Sequence, residues 1–426
     1  MSGPADGPQG GTVHIVGAGL AGLACAVALA ARGRRVALHE AAGQGGGRCR
    51  SLEDAGLGCR IDNGNHFLLA ANQAALAYLA VIGAQGTLHD PGETVFPFVD
   101  LADGCRWRLR PNPGRLPWWL LVPGRRVPGT RPFDYLGLHR LLRAGAEATV
   151  ADCLPMQGPL WRRFWEPLTV AVLNTAAEEA SARLLAATLR ATFLAGGAAC
   201  RPLLARDGLA QSFVEPALAF LAGRGVVPHW RQRLRGLRIE RERVVGLAFA
   251  HELPLAAGDA VVLAVPPAQA RQLLPALTVP EASRPIVNAH YRVPGLGPAQ
   301  AAPELLGLVG GTAQWLVRRG EVVSITVSAA TELVELPAET LAERLWSDTS
   351  AALGLDGRLP EHWRVIKERR ATIAQTPAAV RQRPGTRTPL GNLLLAGDWT
   401  DTGLPATIEG AIRSGQAAAA AVVERA

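Results

Sequence analysis

The chain has 426 residues, 48% hydrophobic and 19% charged, which is enough apolar side chain for two or three domains with buried cores. Its net charge is +8, and all but one of its 44 basic residues are arginine, the exception being Lys367. That balance suits an anionic ligand or an acidic phospholipid surface. The lack of a basic stripe or nucleic-acid module argues against DNA or RNA, and the lack of an uncharged apolar run of about 18 residues argues against a membrane span.

Residues 1–10 are polar and predict a flexible tail without a secretory leader, so a cytoplasmic protein is expected. "TVHIVGAGLAGLACAVALAARGRRVALHE" (12–40) then predicts a buried strand over 12–16, a tight turn, a small-residue helix and a second strand over 35–39. Gly17, Gly19 and Gly22 form G-x-G-x-x-G. The first permits the turn, the second lets backbone approach a pyrophosphate, and the third lets helix meet strand. Leu20 and Ala21 open the helix, whose free N–H groups and dipole favour an anion. Glu40 stands 21 residues beyond Gly19, where a carboxylate accepts hydrogen bonds from ribose hydroxyls. This pattern predicts a dinucleotide, FAD or NAD rather than NADP.

"GQGGGRCRS" (43–51) adds a second glycine-rich loop with Gly46, Gly47 and Arg48. It is similar to the G-G-R segment of the flavin amine oxidase and carotenoid desaturase superfamily, and favours FAD. "DNGNH" follows: Asp62, Asn63, Gly64, Asn65 and His66. Alone it reads as a polar turn; after that loop it is expected to run along the cofactor toward the reacting ring. Residues 91–204 are rich in Trp, Arg, Leu and Pro. Within them "RLPWWLLVPGRR" (115–126) reads either as a core turn or as a peripheral contact with an anionic membrane, through Trp118, Trp119 and the flanking arginines. Helical spacing runs over 133–145, and "FWEPLTVAVLNTAAEEAS" (164–181) is apolar, with Asn174-Thr175 as a polar pair.

Residues 206–230 predict loop, helix and short strand, with the backbone of Val226 and Val227 facing adenine. A strand is expected at 259–267. "PIVNAHYRV", "WLVRR" and "VVSITVS" within 286–387 predict a sheet forming a cavity wall. Finally, "NLLLAGDWTDTGLPATIEGAIRSGQAAAAAVV" (392–423) predicts a strand, the Gly397-Asp398 turn and a helix from about Pro405. Six cysteines show neither a CxxC pair nor zinc spacing and are expected to be reduced thiols, with no metal bound.

Together, "DNGNH", "FWEPLTVAVLNT", "KERRAT" and "LAGDWTDTGLPATIEGAIRSG" resemble the hydroxysqualene dehydroxylases, within the same flavin amine oxidase and carotenoid desaturase superfamily. The resemblance covers nearly all of the chain after residue 11. It implies an α/β fold of amine-oxidase type. A discontinuous Rossmann-like FAD domain (11–90, 205–285, 388–426) would carry an inserted mixed α+β substrate domain (91–204, 286–387). It also implies non-covalent FAD, reducing equivalents from NAD(P)H, a C30 polyprenoid alcohol as substrate and squalene as product. Gly397, Asp398, Ala406, Thr407 and Ile408 would contact the cofactor; Trp165, Asn174 and Thr175 would contact the substrate. Removal of a hydroxyl needs a proton donor. His66 ranks first for that role, ahead of Asp62 and Glu409. An amine substrate is disfavoured, because Asn288 stands near the position of the amine oxidases' lysine and Thr407 replaces an aromatic residue of their cage. A polyprene desaturase and a non-catalytic flavin-fold lipid-binding protein are the competing readings.

Overall fold

The structure, a computed structural model, describes residues 10–296 and 303–424; the expected N-terminal tail lies outside them apart from Gly10. Four short strands form a wholly parallel sheet in the order Leu393–Leu395, Ala260–Leu263, Val13–Val16, Val36–His39. The first and third of these are buried throughout. Unbroken apolar runs, rather than alternation, are what a parallel sheet covered on both faces requires. The helix Leu20–Ala30 follows the first strand and packs against the helix Ile408–Val423. The approach is close: a Cβ at Gly415 would lie 2.1 Å from the Ala21 carbonyl oxygen. The first glycine motif and the 392–423 motif are thus two faces of one packed layer, as an FAD-binding α/β fold demands.

A seven-stranded mixed sheet stands beside it, in the order Trp363–Ile373, Ser283–Arg292, Val322–Val327, Trp315–Arg319, Leu305–Val309, Phe96–Asp100, Arg106–Leu109. The three strands expected from "PIVNAHYRV", "WLVRR" and "VVSITVS" are all present, and neighbours are antiparallel except for Leu305–Val309 with Phe96–Asp100. That parallel pair joins the two inserted segments. Phe98 reaches across it and stacks on Trp107, with Trp315 at its edge, ring centroids 5.2 and 5.5 Å apart. These rings belong to a large apolar cluster that also holds Trp119, Tyr135, Phe164 and Trp165. A third, three-stranded sheet, Phe67–Leu69, Pro202–Ala205, Leu88–His89, carries the chain out of "DNGNH" and along this cluster.

Several local expectations change. The helical spacing over 133–145 yields a 3₁₀ turn, Pro132–Gly137, and only then a short helix, Leu138–Leu142, Gly137 weakening the helix where the two meet. The segment 226–230 forms no strand. Pro228 has no N–H and Arg231 takes φ +58°, so pairing stops at one parallel bridge, His39 with His229. The helix expected from Pro405 starts at Ile408, since Thr407 is extended and its hydroxyl caps Gly410 N at 3.2 Å.

Candidate active site

The two glycine-rich loops lie side by side. Gly17 takes φ +108°, and a Cβ there would meet the Ala264 carbonyl oxygen at 2.3 Å. A Cβ at Gly22 would lie 1.8 Å from the Gly17 oxygen. At Gly19 a Cβ would meet nothing within 4 Å, so its backbone borders open space at the helix start. The second loop docks here through Gly46 N, which donates to Ala18 O at 2.7 Å; Gly46 and Gly47 both have positive φ. No side chain caps the helix at Gly19, so the N–H groups of Leu20, Ala21 and Gly22 are the donors offered at this end. Glu40 accepts from Ala18 N at 2.7 Å and Ala42 N at 2.8 Å, which fixes its carboxylate beside the turn. Close backbone, oriented N–H groups and one carboxylate fit the pyrophosphate and ribose of FAD. Val227 is exposed next to buried Val226, close to the edge of the same sheet.

Arg48 joins this cradle to the 392–423 motif. It donates to Asp398 Oδ1 at 2.7 Å and to the Ala371 carbonyl. Asp398 raises the Arg48 pKa above its usual value. The turn carrying Asp398 is pinned by Arg383, a buried guanidinium that donates to the carbonyls of Asp398, Thr400 and Leu404. Gln375 accepts from Ala406 N at 2.8 Å and donates to Leu173 O at 2.7 Å. One side chain thereby ties the cofactor motif to the inserted helix Glu166–Leu173.

"DNGNH" is held at nearly every residue. Asp62 has no exposed side-chain surface; Oδ1 accepts from Ser51 Oγ at 2.6 Å and Leu209 N at 2.9 Å, and Oδ2 pairs with Arg319. Asn63 donates to Arg48 O at 3.3 Å and Glu368 Oε2 at 3.2 Å. Asn288 donates to Asn63 O at 3.2 Å and accepts from Thr326, and Asn65 donates to Thr326 at 3.4 Å. A Cβ on Gly64 would lie 3.2 Å from Asn288, so glycine allows this approach. Among the described residues the His66 imidazole has no hydrogen-bond partner. His66 is exposed, as is nearly half of the Arg48 side chain. Desolvation lowers the His66 pKa below 6.5; the Asp62 carboxylate opposes this and Arg48 reinforces it. Phe67, next in the chain, lies 5.4 Å from Trp315, so the apolar cluster begins beside His66.

The other expected site residues fall into two groups. Glu409 accepts from Ala74 N at 3.0 Å and Ala75 N at 2.8 Å, satisfying the first turn of the helix Gln73–Val81. Its carboxylate braces two helices and, like that of Asp62, is engaged by protein donors. Asn174 and Thr175 are likewise engaged by protein groups. Both are buried inside the frame. Asn174 takes φ +47°, donates to Thr372 Oγ1 and Arg284 O, and accepts from Ala329 N; Thr175 accepts from Gln375 N at 3.1 Å. They end a helix and lock it to the sheet. Trp165 is buried against Phe164, centroids 4.7 Å apart. Arg319, Thr326, Gln375 and Arg383 went unnoticed in the sequence, since their partners lie far away in the chain and no local pattern marks them.

The sequence matches the family described as flavin containing amine oxidoreductase over residues 20–423. A hydroxysqualene dehydroxylase of Rhodopseudomonas palustris is 48% identical over 410 residues, covering 96% of this chain and 97% of the relative. One of Zymomonas mobilis is 44% identical over 407 residues, covering 95% and 97%. A putrescine oxidase structure, a redesigned triple mutant, superposes with a TM-score of 0.70 at 17% identity, covering 98% of this chain and 99% of that one, a likeness of fold.

Proposed function

The chain belongs to the flavin-containing amine oxidoreductases, an FAD-dependent oxidoreductase family, and on that premise we propose that it reductively removes the hydroxyl of hydroxysqualene to give squalene, a step of squalene and hopanoid synthesis. The observation that carries the reading is one unengaged imidazole, His66, set between a flavin cradle and a continuous apolar cluster. An amine substrate calls for a different set of groups, and Asn288 and Thr407 do not supply it.

In this reading Gly17, Gly19, Leu20, Ala21, Gly22, Gly46 and Gly47 hold the pyrophosphate, Glu40 the ribose, and Val227 the adenine. Arg48, Asn63, Gly64, Asn65, Gly397, Asp398, Ala406, Thr407 and Ile408 border the flavin. FAD, when bound and reduced, supplies the hydride, with NAD(P)H as the ultimate source of electrons. A ring N–H of His66 passes its proton to the departing oxygen, which leaves as water while a new C–H bond forms at carbon. Asp62 holds the segment that carries His66, and Glu409 braces the helices Gln73–Val81 and Ile408–Val423. The aromatic cluster orients the polyene and keeps water from the electron-poor carbon. A C30 alcohol partitions into lipid, so the protein would work at the cytoplasmic face of a membrane. Among the described residues no helix is long and apolar enough to cross one, so association would be peripheral.

Anaerobic incubation of the NADPH-reduced holoprotein with hydroxysqualene, followed by product mass, tests the reading. Squalene formed in step with flavin reoxidation is the expected result. Reoxidation without a product lighter by one oxygen would refute it.

A further inference from the structure

Apolar side chains are unevenly spread over the surface. Among the described residues, seven of the twelve large hydrophobic side chains left exposed fall within residues 116–156. The strongest are Leu116, 81% exposed, Leu121 at 69%, Phe133 at 77% and Leu136 at 63%. They sit on or beside two 3₁₀ turns, Trp118–Leu121 and Pro132–Gly137. Each turn also sends one ring inward. Trp119 and Tyr135 are buried and meet edge to face at 5.9 Å, and the Tyr135 hydroxyl accepts from Val127 N at 3.2 Å. The turns therefore pack together as one strap, apolar on both sides. Such exposure needs a cause, because exposed leucine and phenylalanine gain nothing from water.

Charge identifies what meets the outer side. Between residues 110 and 143 stand seven arginines and a single acid, Asp134. Asp134 is itself used within the chain, accepting from Arg131 N at 2.7 Å. Arg115, Arg131, Arg140 and Arg143 are exposed, and the Arg125 guanidinium lies 4.7 Å from the centroid of Trp118. Bulky apolar tips surrounded by guanidinium groups match the boundary of an anionic bilayer: tips among acyl chains, arginines among phosphates. The inner side continues the argument. Tyr135 is 6.5 Å from Phe164, and both belong to the apolar cluster that ends at Phe67, beside His66.

We propose that this strap is the surface by which the protein docks on an anionic phospholipid bilayer, and that it admits a hydrocarbon substrate directly from the lipid into the aromatic cluster. The admission of substrate rests on the polyprenoid reading above; the docking does not. The test is flotation of FAD-loaded full-length protein with phosphatidylcholine vesicles, with and without phosphatidylglycerol. The wild type is expected to float with the anionic vesicles and to release in high salt. A Leu121→Asp/Phe133→Asp variant is expected to lose about tenfold or more in partitioning, with unchanged flavin content and unchanged turnover of detergent-dispersed substrate. Wild type that ignores anionic vesicles, or a variant that floats as well as wild type, overturns the proposal. So does concentration-dependent dimerisation that the same variant abolishes, since the strap would then cover a second copy of the chain. Flotation without turnover of any polyprenoid alcohol would instead refute the substrate reading and leave the docking surface intact.

Discussion

At the scale of single residues, the site separates charge that builds from charge that can react. Asp62 pairs with Arg319 and Asp398 with Arg48, whereas the His66 imidazole has no partner among the described residues. Burial holds its pKa below 6.5, so the protonated form fades as pH rises through that lowered value. If His66 is the acid, turnover of pre-reduced protein should fall with rising pH on the acidic side of 6.5. His66→Gln should remove that limb and cost about 10²- to 10⁴-fold in the chemical step while retaining flavin. A single-turnover pH profile of both proteins decides it, and an unchanged limb in the variant would remove His66 from the chemistry. Glu409 gives the converse expectation. Glu409→Gln loses one of two acceptors for the helix start at Ala74 and Ala75, so stability should drop by about 1 kcal/mol with turnover little altered. Denaturant melts beside an activity assay measure both; collapse of turnover at wild-type stability would return Glu409 to the list of acids.

At the scale of elements, the sequence revealed most where local physics decides. Gly17 and Gly22, after a β-branched strand, announce a turn that only glycine fits, and the strands around it begin and end within a residue of expectation. The strap and the "DNGNH" segment were legible as polar or aromatic oddities, but not as structures. What positions them is long-range: Asn288, Thr326 and Gln375 act over hundreds of residues, and no periodicity encodes such partners. The same reason explains the intraprotein bonds of Asn174 and Thr175, which the resemblance places against the substrate and which here tie the end of their helix to Thr372, Ala329 and Gln375. One element-level expectation follows from the contact of the first and last helices. Gly415→Ala places a methyl group 2.1 Å from Ala21 O, so the helices must separate, at a cost of about 1–3 kcal/mol. Flavin content on purification should fall with melting temperature, because Ala21 also begins the pyrophosphate cradle. A variant that keeps both would mean that this contact is soft.

At the scale of the molecule, the proposed cofactor cradle joins segments 350 residues apart and the seven-stranded sheet joins both inserted segments, so FAD bound there would touch parts that no short fragment contains. Cofactor binding and global folding should therefore be thermodynamically linked. Protein stripped of flavin is expected to melt lower, and FAD at about a hundred times its dissociation constant should restore roughly 2.7 kcal/mol. Scanning calorimetry across an FAD titration reads this directly; a melting temperature indifferent to FAD would argue that the cradle is not completed by the cofactor.

The Arg48–Asp398 bond has a further consequence, in time instead of space. Its partners are 350 residues apart, and the parallel sheet gains Leu393–Leu395 as a neighbour of Ala260–Leu263 only when the later segment exists. During synthesis the glycine loops emerge first and wait on the order of tens of seconds for the strand and aspartate that complete them. Until then an apolar sheet edge and a helix face lie open to other chains. Firm capture of FAD would therefore wait until the later segment has emerged, and the yield of holoprotein in a cell should follow chaperone supply as well as flavin supply.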